Sequence, residues 1–209
     1  MNKLERLFLT RDFMGDPRRG GSARDYEPYT GGMNEKDVLG ELRIKEGYKA
    51  ELAKIVNQAG FAPRDAAMEL IRRFTVDNPT APRKPFAIAL RNRVAKLLHL
   101  STPQDLKRLR YYTAVGKKEV SPLDFFHGVD AWIELLDTDT DIKSVVTIDA
   151  TIRGNKDDAK ADLLVKNLPD VTKDNVMFDI MVNQFAERTA HLFGIDPVKE
   201  KPPVTVTKT

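Results

Sequence analysis

The hydrophobic rhythm of this 209-residue chain changes near its midpoint. From residue 35 to about 109, apolar positions recur three and four apart, the spacing of one face of an α-helix. Asn34 can cap a helix over 35–58 whose stripe is Val38, Leu42, Leu52, Ile55 and Val56, with Gly60 closing it. Pro63 opens a second helix with Met68, Leu70, Ile71 and Phe74, and the prolines of "DNPTAPRKP" end it. In a third helix, "FAIALRNRVAKLLHL", Ile88, Leu90, Val94, Leu97 and Leu98 are expected to point inward, and Arg91, Arg93 and Lys96 toward solvent. Ser101 or Thr102 then caps a short helical turn, "PQDLKRL".

At Arg110 the period shortens. "RYYTAVG", "HGVDAWIELL" and "SVVTIDATI" are rich in aromatic and β-branched residues and predict three consecutive strands, with the acidic turn "LDTDTDIK" between the second and third. A polar, helical piece, "NKDDAKAD", a short strand, "LLVKNL", and a final helix, "VMFDIMVNQFAERTAHLFG", ended by Gly194, complete the pattern. The expected fold class is α/β (α+β): a basic helical region over 35–109, then a small mixed sheet flanked by helices over 110–195. Within residues 1–34 a short amphipathic stretch, "NKLERLFL", suited to docking on this protein or a neighbour, precedes a run over 15–34 that mixes glycine, arginine, tyrosine and proline without apolar period, and residues 196–209 are rich in proline and charge. Both are expected to be extended arms.

Charge sharpens this division. Residues 1–120 carry 24 Lys+Arg against 15 Asp+Glu, and residues 121–209 carry 10 against 16. A basic part joined to an acidic one suits a protein that holds a polyanion with the first and divalent cations with the second, although solvated faces of an ordinary globule give the same count. The chain has no cysteine, which removes disulfides, thiolate nucleophiles and cysteine-held metals. No apolar run approaches the roughly 20 residues of a membrane helix, so a cytoplasmic protein, or one assembled into a particle there, is expected.

Two acids stand inside apolar runs: Asp130 in "GVDAWI" and Asp149 in "TIDATI". A buried carboxylate costs several kcal/mol unless paired, hydrogen-bonded or bound to a cation. Two on adjacent strands invite Mg²⁺ or Mn²⁺, the ions that oxygen-only sites select and that assist phosphodiester hydrolysis. Each acid could instead cap a turn or pair with Arg110 or Arg153. A strand with an aspartate, an acidic turn, and a strand with "IDAT" resemble the PD-(D/E)XK nuclease superfamily over about residues 86–195. The resemblance implies a helix, three strands, a helix and a further strand, cutting DNA with one or two Mg²⁺. It makes Asp130 and Asp149 the metal ligands. The lysine expected two positions after Asp149 is Thr151 here, so Lys156 becomes the preferred catalytic cation, with Lys160 also near in sequence.

Other residues fill out the expectation. Glu46, or another acid of the first helix, is a third-ligand candidate, and Gln184 of the last helix faces either site or solvent. Trp132 reads as core on the face away from Asp130. His127 reads as a ligand, a base or an edge residue, and His99 and His191 as helix-terminal groups. Asp137, Asp139 and Asp141 lack the glycine and glutamate of a calcium loop and read as a solvated turn. Arg18, Arg19 and Arg24 of the arm, with Arg91 and Arg93, are the expected nucleic-acid contacts, while the arm suits a protein neighbour equally well. Two functions therefore stand: a Mg²⁺-dependent endonuclease or exonuclease acting on DNA, active or degraded, or a structural component of a large assembly such as a phage particle.

Overall fold

Glycines set the first departure from the expected pattern. In the computed structural model, which describes residues 35–117, 120–138, 141–151, 160–166 and 168–195, the expected helix over 35–58 is two: α1 (Glu35–Leu39) and α2 (Tyr48–Ile55). Gly40 and Gly47 sit at φ +94° and +85°, a region that side-chain-bearing residues rarely enter, and so they break the helix. The linker between them runs extended instead. Ile44 bridges Thr75, and Lys45 N–H donates to Phe74 O at 2.7 Å.

The remaining helices follow their signals: α3 (Arg64–Phe74), α4 (Pro85–Leu97), α5 (Pro103–Lys107), α6 (Pro122–His127) and α7 (Asn175–Leu192). Thr102 and Asp105 form a reciprocal capping box on α5. Asp174 caps α7, whose chain leaves through Gly194 at φ +80°. α6 was not anticipated. Residues 121–126 carried no expected element, and His127, read as the first residue of a strand, instead ends a helix capped by Ser121, out of which Gly128 at φ +60° turns the chain. The second strand therefore begins at Ala131, and Asp130 stands just before it.

Four strands, β1 (Leu109–Thr113), β2 (Ala131–Leu136), β3 (Ile142–Thr151) and β4 (Leu163–Lys166), form one mixed sheet in the order β1-β2-β3-β4. The first two pairings are antiparallel and β3–β4 is parallel. The register Leu109↔Leu135, Tyr111↔Ile133 and Ala131↔Ile148 puts one set of apolar residues on a single face. There they pack against Leu39, Phe86, Leu90, Val94, Phe178, Val182 and Ala186 of α1, α4 and α7. The other face presents Tyr112 and Trp132 to Tyr48, Leu52, Met68, Ile71 and Leu123 of α2, α3 and α6. Helices thus cover both faces, so β2 is buried at all six positions, Glu134 included. The helical region and the sheet share these two cores.

Two expectations about α4 are corrected. Ile88 is 40% exposed, whereas Arg91 is 5% exposed on the stripe that also buries Ala87, Leu90, Val94 and Ala95. The Arg91 stem lies along the core while its guanidinium donates to the carbonyls of Leu109 (2.9 Å) and Leu106. It ties α4 to the edge strand and to α5, and is buried rather than presented to a nucleic acid. Arg93, partly exposed, is engaged by Asn183 and Asp179 of α7 (3.0 Å to Asp179 Oδ1).

Candidate active site

Asp130 and Asp149 meet where β2 begins and β3 nears its end. Asp130 directly precedes Ala131, whose register partner Ile148 directly precedes Asp149, so the two acids stand near each other. Asp130 donates its backbone N–H to Ile148 O at 2.9 Å, and its carboxylate Oδ2 accepts from Ala150 N–H at 2.7 Å. The side chain thereby continues the ladder after the main chain of β2 has turned away. Oδ1 makes no hydrogen bond among the described residues. Alternation along β3 places Asp149 on the side of Thr147 and Trp132, while the Asp130 charge is felt by Tyr111 of the opposite face.

Their environment is apolar and negative. Asp130 is 4% and Asp149 1% exposed. Burial, reinforced by the charges of Asp124, Glu35 and Asp149 and opposed by the Ala150 N–H, pushes the Asp130 carboxyl up to about 8. Glu35 belongs to the first helix, the element expected to supply a third acid. Glu46, the acid singled out there, is exposed in the linker before α2. Asp124 accepts from Gly116 N–H at 2.9 Å. Among the described residues no three His, Asp or Glu side chains are gathered closely enough to hold a metal ion. A cation at this place would rest on the aspartate pair, completed by backbone oxygen or water.

The lysines divide three ways. Lys156 lies outside the described residues, as do Arg18, Arg19, Arg24, Arg153 and Asp139. Lys160 is exposed, donates to Phe126 O at 3.2 Å, and brings its Cβ close to Gly128. A methyl group built on Gly128 would meet Asp149 Oδ2 at 3.7 Å and Lys160 Cβ at 4.0 Å, so Gly128, Asp149 and Lys160 are immediate neighbours. Lys166 of β4 is the cross-strand partner of Thr151 and so shares the face of Asp149. The sequence signal for Lys166 was weak, since only the parallel pairing carries it to Thr151.

His127 proves to be a positioning group. Its Nε2 lies 2.8 Å from Ala62 O, joining α6 to the start of α3. Trp132 is fully buried, stacked on Tyr112 at 4.9 Å between centroids. Its indole N–H donates at 2.7 Å to Glu134, a residue the sequence reading missed. Glu134 is 0% exposed and is also held by Arg72 Nε at 2.6 Å. Gln184 and His191 are exposed on α7, and His99 adopts φ +55° beyond α4. Asp137 pairs with Lys143 at 3.8 Å and Asp141 accepts from Thr138 at 3.1 Å, as a solvated turn would.

Comparison with protein-family models, with curated proteins and with solved structures returns no match. No helix among the described residues is long and apolar enough to cross a membrane.

Proposed function

We propose that the chain is a nuclease-like, DNA-associated protein whose residues 86–195 follow the PD-(D/E)XK plan and whose reaction is divalent-metal-dependent hydrolysis of a phosphodiester. The observation that carries this reading is the presence of two buried aspartates, Asp130 and Asp149, close together at the β2/β3 end of the sheet. The helix α4, the antiparallel strands β1, β2 and β3 and a further strand β4 support it, while the helix that the resemblance implies between the third and fourth strands falls on residues outside those described.

The residues present fit a divalent cation in kind. Asp130 and Asp149 offer hard oxygen ligands, and Asp130 keeps one oxygen uncommitted. Mg²⁺ or Mn²⁺ held there would neutralise charge developing on a phosphate and acidify a bound water. The chain's own part is positional. Ala150 N–H fixes the Asp130 carboxylate, Gly128 lets the α6–β2 turn pass close to Asp149, and Lys160, whose Cβ lies by Gly128, and Lys166, paired across from Thr151, are the described lysines that would stand in for the one absent at Thr151.

Purified protein is expected to nick plasmid and shorten linear DNA with Mn²⁺ or Mg²⁺. Asp149→Asn is expected to reduce cleavage at least a hundredfold, as loss of a metal-binding carboxylate does in order of magnitude. Wild-type protein without cleavage in either metal would sink the enzymatic reading. In that case Thr151 favours the second reading, a scaffold in a large assembly such as a phage particle. Removal of residues 1–34 is then expected to block incorporation.

A further inference from the structure

Four aromatic rings gather where α6 meets the loop between α2 and α3. Phe61 lies 5.6 Å from Phe126 and 5.1 Å from the His127 ring, and Phe125 lies 5.0 Å from Phe126. Two of them face solvent well beyond what a core needs, Phe125 at 59% and Phe61 at 40% exposure. Exposed phenylalanines on a slack loop would mean little. Here the loop is fastened: Asn57 Oδ1 accepts the N–H groups of Ala59 and Phe61, each at 3.0 Å, while Asn57 N–H donates to Phe61 O at 2.9 Å. The contact of His127 with Ala62 O locks it to α6. A rigid mount therefore holds apolar rings against water, an arrangement whose cost is offset only by something that covers them.

Charge says what that occupant is. Lys160 donates to the carbonyl of Phe126 itself, and Arg64, exposed at the start of α3, reaches Thr147 Oγ1 at 3.2 Å, two residues from Asp149 on the same strand face. Cations thus flank the rings, Asp130 follows His127 by three residues, and Asp149 Oδ2 lies beside Gly128, the residue after His127. Aromatic faces for bases, cations for phosphates and an acid pair at the end describe a path for an unpaired nucleic-acid strand. A purely apolar protein partner would not need the cations, and paired bases would keep their faces stacked on one another.

We propose that Phe61 and Phe125 form a stacking ledge for the unpaired bases of single-stranded DNA, with Arg64 and Lys160 on its phosphates, leading the strand to the aspartate pair. The inference rests on the nuclease reading and narrows its substrate to single strands or frayed ends. It is tested by fluorescence anisotropy with the full chain in EDTA, using a labelled short oligothymidylate and an abasic strand of equal length. The wild type is expected to prefer the oligothymidylate. Phe61→Ala and Phe125→Ala are each expected to weaken that binding about tenfold, with abasic binding and thermal midpoint unchanged, and Phe125→Trp to restore it.

Equal affinity of wild type and both alanine variants for oligothymidylate overturns the ledge. So does equal binding of the abasic strand. Loss of self-association in the alanine variants at unchanged DNA affinity also overturns it and assigns the rings to a second copy of the chain. The two readings separate cleanly. Ring-dependent binding without metal-dependent cleavage keeps the ledge and removes the nuclease, whereas Asp149-dependent cleavage with ring-independent binding does the reverse.

Discussion

A carboxyl that is 4% exposed and sits among other acids holds its proton far above the ordinary carboxylate range, and Asp130 is such a group. Its folded value of about 8 lies above the ordinary 3.8, so between these two values the folded chain binds more protons than the unfolded one. Stability therefore falls as pH rises through that window, by an amount on the order of a few kcal/mol when complete. Asp130→Asn keeps an amide oxygen for Ala150 N–H and removes the charge. Its thermal midpoint is expected to match wild type near pH 4 and to exceed it by several degrees at pH 8, read by circular dichroism at both values. Mg²⁺ is expected to raise the wild-type midpoint at pH 8 and to leave Asp130→Asn unmoved. A variant no more stable at pH 8 than at pH 4 relative to wild type would show that the buried charge is already compensated. The sequence marked Asp130 and Asp149 because an acid between apolar neighbours is conspicuous in one dimension. Glu35 and Asp124 carried no such mark, being ordinary first-turn acids of short helices.

At the scale of elements, α3 is fastened to the central strand by one buried ion pair. Glu134 has no exposure, and its Oε1 serves both Arg72 and Trp132 while Oε2 makes no hydrogen bond among the described residues. Removing the cation alone leaves a buried carboxylate uncompensated. Arg72→Met is therefore expected to destabilise the protein by about 3–5 kcal/mol in urea titration, and adding Glu134→Met in the same chain to recover most of that loss. A single substitution costing under about 1 kcal/mol would mean that Trp132 satisfies Glu134 without help from α3. Periodicity found α3, α4, α5 and α7 because their apolar stripes and caps are local. It joined α1 to α2 because helical spacing on either side of Gly40 and Gly47 masks a break that only positive φ enforces. It assigned Arg91 to solvent because a long polar side chain reads as exposed until a carbonyl of a neighbouring element waits for it.

For the molecule as a whole, both hydrophobic clusters are built from residues between Val38 and Phe193. A chain trimmed to residues 35–195 is expected to keep a cooperative melt within a few degrees of the full-length midpoint, followed by far-ultraviolet circular dichroism. A fall of more than about 10 °C would give the ends a structural part in the core. By itself, the sequence determined the class of fold, the order of the helices and strands apart from α6 and the α1–α2 break, and the two acids that depart from the apolar pattern, because each is written in neighbours a few positions apart. Only the tertiary structure decided that Asp130 is tied to Ala150, that Thr151 faces Lys166, that Arg91 is interior, and that Phe61 meets Phe126. Those relations join residues from 15 to 65 positions apart in backbone pairing, side-chain contact and burial. They exist only once the sheet has formed and helices have closed over both of its faces.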